Sequence, residues 1–123
     1  MSEDISKLPP QVQQRLLRLQ QLQQTLQTVL TQKQQLELES NEVEQALGEL
    51  EKLADSATIY KSIGSLLVKA KKDKVTIELD ERKDLLRMRI DVLGKQETRL
   101  RTQAKDLQTK LQRDLRPLSP PPS

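Results

Sequence analysis

From Val12 to Ala57, apolar residues recur three and four positions apart: Val12, Leu19, Leu22, Leu26, Val29, Leu36, Val43, Leu47, Leu50, Ala54 and Ala57. The pattern breaks, then returns from Leu79 as Leu86, Ile90, Leu93, Leu100, Ala104, Leu107 and Leu111. A repeat averaging 3.5 residues, kept over many turns, draws a narrow seam along a helix. Such a seam suits one partner helix and cannot wrap a globular core. The activity of this chain must therefore come from a rod, from its ends, or from whatever interrupts it.

Composition supports that restriction. The chain has 123 residues, 34% hydrophobic and 32% charged, with Tyr60 its one aromatic residue. That length allows one domain, residues 1–123, and a large compact core without aromatic anchors is not expected. There is no Cys and no His, which removes thiol chemistry and the commonest metal and acid–base ligands. No metal site and no cofactor are expected. No run of about 18 apolar residues exists, so a membrane span is not expected. Met1–Leu8 carries two acids and no apolar run, unlike a signal peptide.

Residues 1–57 hold five Lys/Arg and nine Asp/Glu, a net −4; residues 58–123 hold sixteen and nine, a net +7. An acidic first helix and a basic second helix attract each other when folded back to back. The basic half could also face nucleic acid or a membrane surface. It lacks the aromatic platforms that single-stranded nucleic acid uses.

Pro9-Pro10 sets the start of the first helix, since proline's missing N–H goes unused in a first turn. The eleven Gln between Gln11 and Gln35 are good helix surface, and the leucines among them keep register. The first helix is predicted over about 10–57. Between Thr58 and Lys74 the period changes. Ile59, Tyr60 and Ile63 precede Gly64-Ser65, and Leu66, Leu67 and Val68 follow. Two β-prone runs around a two-residue Gly-Ser turn read as a β-hairpin over 58–72. An isolated hairpin is marginal in water, and nothing else in this chain supplies further strands. The second helix is predicted over 74–115 with Asp73 as its N-cap. Pro117 and Pro120-Pro121-Pro122 end it, and 117–123 reads as a disordered tail. The fold class is mainly α: an antiparallel two-helix coiled coil with one β-hairpin between the helices, the hairpin joining an intersubunit β-structure.

A register can be argued from the seam. Leu47 is placed opposite Leu86, Val43 opposite Ile90, Leu36 opposite Glu97 and Lys33 opposite Leu100. Lys33 and Glu97 then lie in adjacent layers as a candidate register pair, since polar seam residues exchange stability for specificity. The alternative is that both side chains reach out to solvent independently. Glu44 with Arg87 is the expected flanking ion pair. Beyond the seam, Leu8, Leu16, Leu17, Leu115 and Leu118 could line an open tip, either as scattered exposed leucines or as a contact site for apolar chains.

No catalytic motif is present. The three glycines are isolated, and the carboxylates lie on helix faces with no pocket to perturb them. An enzyme is not expected.

The opening Leu8-Pro9-Pro10-Gln11-Val12-Gln13 and the central run from Ile59 through Tyr60-Lys61-Ser62-Ile63-Gly64-Ser65-Leu66-Leu67-Val68 to Lys69 carry a resemblance. Set between two heptad helices, they closely resemble the beta subunits of the prefoldin family in their archaeal form, over nearly the whole chain. The Pro-rich tail departs from the family pattern. The resemblance implies a cytoplasmic, ATP-independent co-chaperone. Its partners would be an alpha subunit (in a hexamer of two alpha and four beta), unfolded client proteins and a group II chaperonin. The hairpins would form a shared β-barrel, with Ile59, Tyr60, Ile63, Gly64, Leu66, Leu67 and Val68 as assembly residues. The client-binding tip would comprise Leu8, Val12, Leu16, Leu17, Leu19, Leu111, Leu115 and Leu118. It implies neither a nucleic-acid nor a membrane partner.

Two other readings stand beside it. One is a basic helical arm that grips structured RNA, by analogy with the arm of seryl-tRNA synthetase. It would use Lys69, Lys71, Lys72, Lys74, Arg82, Lys83, Arg87, Arg89, Arg99 and Arg101. The other is a passive coiled-coil tether.

Overall fold

In the computed structural model, residues 7–115 are described. The order is helix α1 (Pro10–Glu51), strand β1 (Ile59–Ile63), strand β2 (Leu66–Ala70) and helix α2 (Lys72–Leu115). Leu118 and the predicted tail lie outside the described residues. The chain forms two compact units. One takes the described residues up to Thr31 and from Leu93 onward; the other is Gln32–Val92.

Helix α1 begins where the two prolines predict. Pro9 O accepts from Val12 N at 2.9 Å and from Gln13 N at 3.1 Å, and Gln13 Nε2 donates to Leu8 O at 2.7 Å. Proline at the first helical position loses no hydrogen bond.

The end of α1 corrects the sequence expectation. The helix stops at Glu51, not near Ala57. Its last turn tightens through bonds from Lys52 N to Glu49 O and from Leu53 N to Leu50 O, the i to i−3 pattern of a closing helix. A second turn follows, with Ala57 N donating to Ala54 O at 3.0 Å around Asp55 and Ser56. Ala54 and Ala57 fit the heptad spacing, but the turn preference of Asp-Ser overrides it.

The start of α2 differs as well. Lys71 occupies the cap position, its carbonyl accepting from Val75 N at 3.1 Å. Asp73 lies inside the first turn and accepts from Lys74 N at 2.9 Å. A carboxylate there still meets the positive end of the helix dipole.

Within Gln32–Val92, Val43, Leu50 and the fully enclosed Leu86 are buried. Glu39 accepts from Arg82 Nε at 2.9 Å and from one of its terminal nitrogens, and Glu44 pairs with Lys83 at 3.8 Å. The groove holding Leu47 is lined on the α2 side by Lys72, Thr76, Asp80 and Lys83, not by Leu86. The predicted pairings of Leu47 with Leu86 and Val43 with Ile90 are therefore displaced by about one heptad, which brings Ser40 level with Leu86. A leucine seam is equally well filled after a slip of seven residues, so the helix ends decide, and α1 ends early. The same displacement gives Glu44 to Lys83 instead of Arg87. Lys83 stands on the seam and stretches its alkyl stem outward to reach the carboxylate.

In the other unit, Val12, Leu22, Val29, Ala104 and Leu111 are buried. Arg15 and Asp114, both at seam positions, form an ion pair with three-quarters of each side chain covered.

Candidate assembly hairpin and helix-end site

Strands β1 and β2 pair antiparallel in the register Ile59 with Ala70, Tyr60 with Lys69, Lys61 with Val68, Ser62 with Leu67 and Ile63 with Leu66. Gly64 and Ser65 make the turn. Gly64 has φ +58°, and no residue other than glycine has a positive φ among those described. Positive φ at the first central position alone defines a type II′ turn, whose twist matches the flanking strands. All seven predicted assembly residues fall within this hairpin.

Strand alternation sorts the side chains. Ile59, Lys61, Ile63, Leu66, Val68 and Ala70 share one face; Tyr60, Ser62, Leu67 and Lys69 share the other. Lys61 reaches Glu78 on α2 at 2.5 Å. The apolar face looks onto a groove that also includes Val75 and Glu78. Yet Leu66 is 65% and Leu67 73% exposed, with Tyr60, Ile63 and Val68 also exposed.

The sheet has only these two strands among the described residues, so each strand is also an edge. In a hairpin closed by a two-residue turn, the pair flanking the turn exchanges both bonds, and pairing alternates from there. Ile63 with Leu66, Lys61 with Val68 and Ile59 with Ala70 are thus satisfied internally. Tyr60 and Ser62 direct their amides and carbonyls off one edge; Leu67 and Lys69 direct theirs off the other. An exposed apolar hairpin with two open edges is a template for strands of another chain.

The base of the hairpin is held by Lys72, which the sequence reading did not single out for this. Its ammonium donates to Leu53 O at 2.8 Å and to Asp55 Oδ1 at 3.3 Å, joining the turn after α1 to the start of α2. The available signal was its position: counting heptads back from Leu79 puts Lys72 on the seam.

At the other candidate site, Val12 and Leu111 are buried and offer no surface to a ligand. Leu8, Leu16, Leu19 and Leu115 are half-buried. Leu17 is 56% exposed. Of the register pair, Lys33 is half-buried and lies 3.9 Å from Glu37, while Glu97 accepts from Arg101 Nε at 3.0 Å. Among the ten basic residues of the RNA reading, Lys72, Arg82, Lys83 and Arg101 are engaged by carboxylates of the chain itself.

Among the described residues, no group of three or more His, Cys, Asp or Glu is placed to hold a metal ion. No described helix is long and apolar enough to cross a membrane.

Two long heptad helices joined by one exposed two-stranded hairpin define a coiled-coil subunit fold. The comparisons agree in detail. The family model described as "Prefoldin subunit" matches residues 13–116. The chain is 47% identical over 113 residues to prefoldin subunit beta of Archaeoglobus fulgidus, covering 92% of this chain and 97% of that protein. It is 43% identical over 113 residues to the beta subunit of Pyrococcus furiosus, with the same coverage. The crystal structure of the prefoldin beta subunit from Thermococcus strain KS-1 superposes with a TM-score of 0.81 at 42% identity, covering 94% of this chain and 98% of that one. The chain belongs to the prefoldin family.

Proposed function

We propose that this chain is a beta-type subunit of a cytoplasmic prefoldin hexamer, two alpha and four beta, in which the hairpins complete one another as a β-barrel. The observation that carries this reading is the hairpin itself. Five of its apolar or aromatic side chains stand exposed, and both of its edges hold unspent backbone groups. A neighbour's strand satisfies those groups and covers those side chains at once.

The start of α1 and the end of α2 then serve as arms for unfolded clients. Leu17 and the half-buried Leu8, Leu16, Leu19 and Leu115 offer them a weak apolar contact. Several arms acting on one chain raise the effective affinity without any new contact. The mechanism is physical capture, with handover to a group II chaperonin and no nucleotide consumed.

Native mass measurement of the chain co-expressed with an alpha-type subunit tests the assembly, and a hexamer is expected. Changing Leu16, Leu17, Leu115 and Leu118 to Ser should leave that hexamer intact and weaken suppression of client aggregation. Unchanged suppression would refute the tip assignment.

A further inference from the structure

Near the start of α1 and the end of α2, the seam carries a charged pair. Counting by threes and fours, Arg15 follows Val12 on α1 and Asp114 follows Leu111 on α2. Leucine at both positions would have continued the repeat. The two side chains instead form an ion pair with three-quarters of each covered. From Pro10 to Thr31, α1 carries no Asp or Glu, so the carboxylate that meets Arg15 comes from α2. Parting the helix ends therefore breaks the pair.

Such a pair changes what opening costs. Parting two leucines bares apolar surface to water with nothing returned. Parting a covered Arg–Asp pair gives both charges back their hydration, which is why apolar replacements of such pairs often leave a protein as stable or more so. The pair thus fixes which side chains meet when the ends are together and lowers the cost of taking them apart. Its surroundings are apolar: Val12 and Leu111 are buried, and Leu16, Leu19 and Leu115 are half-buried. With the ends together, Leu17 is the exposed member of this group.

We propose that Arg15 and Asp114 act as a latch on a client site that opening creates. When the pair breaks, the helix ends part, and Val12 and Leu111, with the leucines beside them, are offered to an apolar segment of an unfolded chain. The inference rests on the capture reading above and deepens it. The client takes the place of the opposite helix in the seam. The closed form shields the apolar surface, and a client that binds the open form alone shifts the balance toward it.

The chain has no cysteine, so Val12→Cys reports opening through its rate of maleimide labelling, with no client present. In the particle assembled with the alpha-type subunit, adding Arg15→Asp sets two carboxylates against each other and should speed labelling about tenfold or more. Adding Asp114→Arg as well restores the pair in reverse and should return the rate to that of Val12→Cys alone. Arg15→Leu with Asp114→Leu should slow it. Without the cysteine, the same variants are scored for suppression of client aggregation. Arg15→Asp should suppress at a lower particle concentration, the reversed pair should match the starting particle, and the double leucine variant should need more.

Labelling that does not respond to Arg15→Asp would overturn the latch and leave the capture reading intact. A rate raised by Arg15→Asp and not restored by the reversed pair would also overturn it, since lost packing and not the lost pair would be the cause. Faster labelling with unchanged suppression would overturn it too, because opening would not then expose the client site. If the variant with Leu16, Leu17, Leu115 and Leu118 changed to Ser suppresses aggregation as well as the starting particle, the capture reading itself fails and the latch with it.

Discussion

Gly64 is where one residue matters most to this fold. Its φ of +58° lies where an L side chain is strained, and the first position of a type II′ turn belongs to glycine. The space around it is open: an added Cβ would meet nothing within 4 Å. Any cost of Gly64→Ala is therefore conformational, about 1–2 kcal/mol. Two-dimensional NMR should show weakened strand pairing while the helical circular dichroism stays. A hairpin unchanged in Gly64→Ala would contradict the turn assignment. Gly94 is the opposite case. It sits inside α2, where an added Cβ again meets nothing within 4 Å. Gly94→Ala should raise stability by about 1 kcal/mol, read as a higher denaturant midpoint at unchanged slope. A loss of stability would reveal a packing role that open space does not suggest.

At the level of elements, the hairpin was legible because its signals agree. β-branched and aromatic runs, a two-residue turn and a glycine at its first position all point to one local structure. The ends of the helices were less legible. Ala54 continues both the heptad and good helix propensity, and only the Asp55-Ser56 turn says otherwise. That error carried into the register, because a seam of leucines constrains alignment only in steps of seven. The helix-end site was partly legible: heptad counting finds Val12 and Leu111, but their burial shows that the seam consumes them. Arg15, Lys72 and Asp114 interrupt the apolar repeat at seam positions, so periodicity alone carries no signal for their ion pairs. The register can be checked in solution. A double-mutant cycle should couple Glu44 to Lys83 by a few tenths of a kcal/mol, as half-exposed pairs do. No coupling should appear between Glu44 and Arg87, and the reverse result would restore the predicted alignment.

For the whole molecule, the seam holds the helices, and the hairpin is left with more apolar surface and more unsatisfied backbone than one chain can resolve. Family membership and the exposed strands lead to the same account, in which neighbouring subunits complete the sheet. Hydrogen exchange at four backbone amides tests it most directly. Tyr60, Ser62, Leu67 and Lys69 point off the edges in the single chain, so their protons should exchange nearly as fast as in an unfolded peptide. In the particle assembled with the alpha-type subunit, the same four should slow by about 100-fold or more, toward the protection of paired strands. If they remain unprotected in the assembled particle, the hairpins do not complete one another and the account fails.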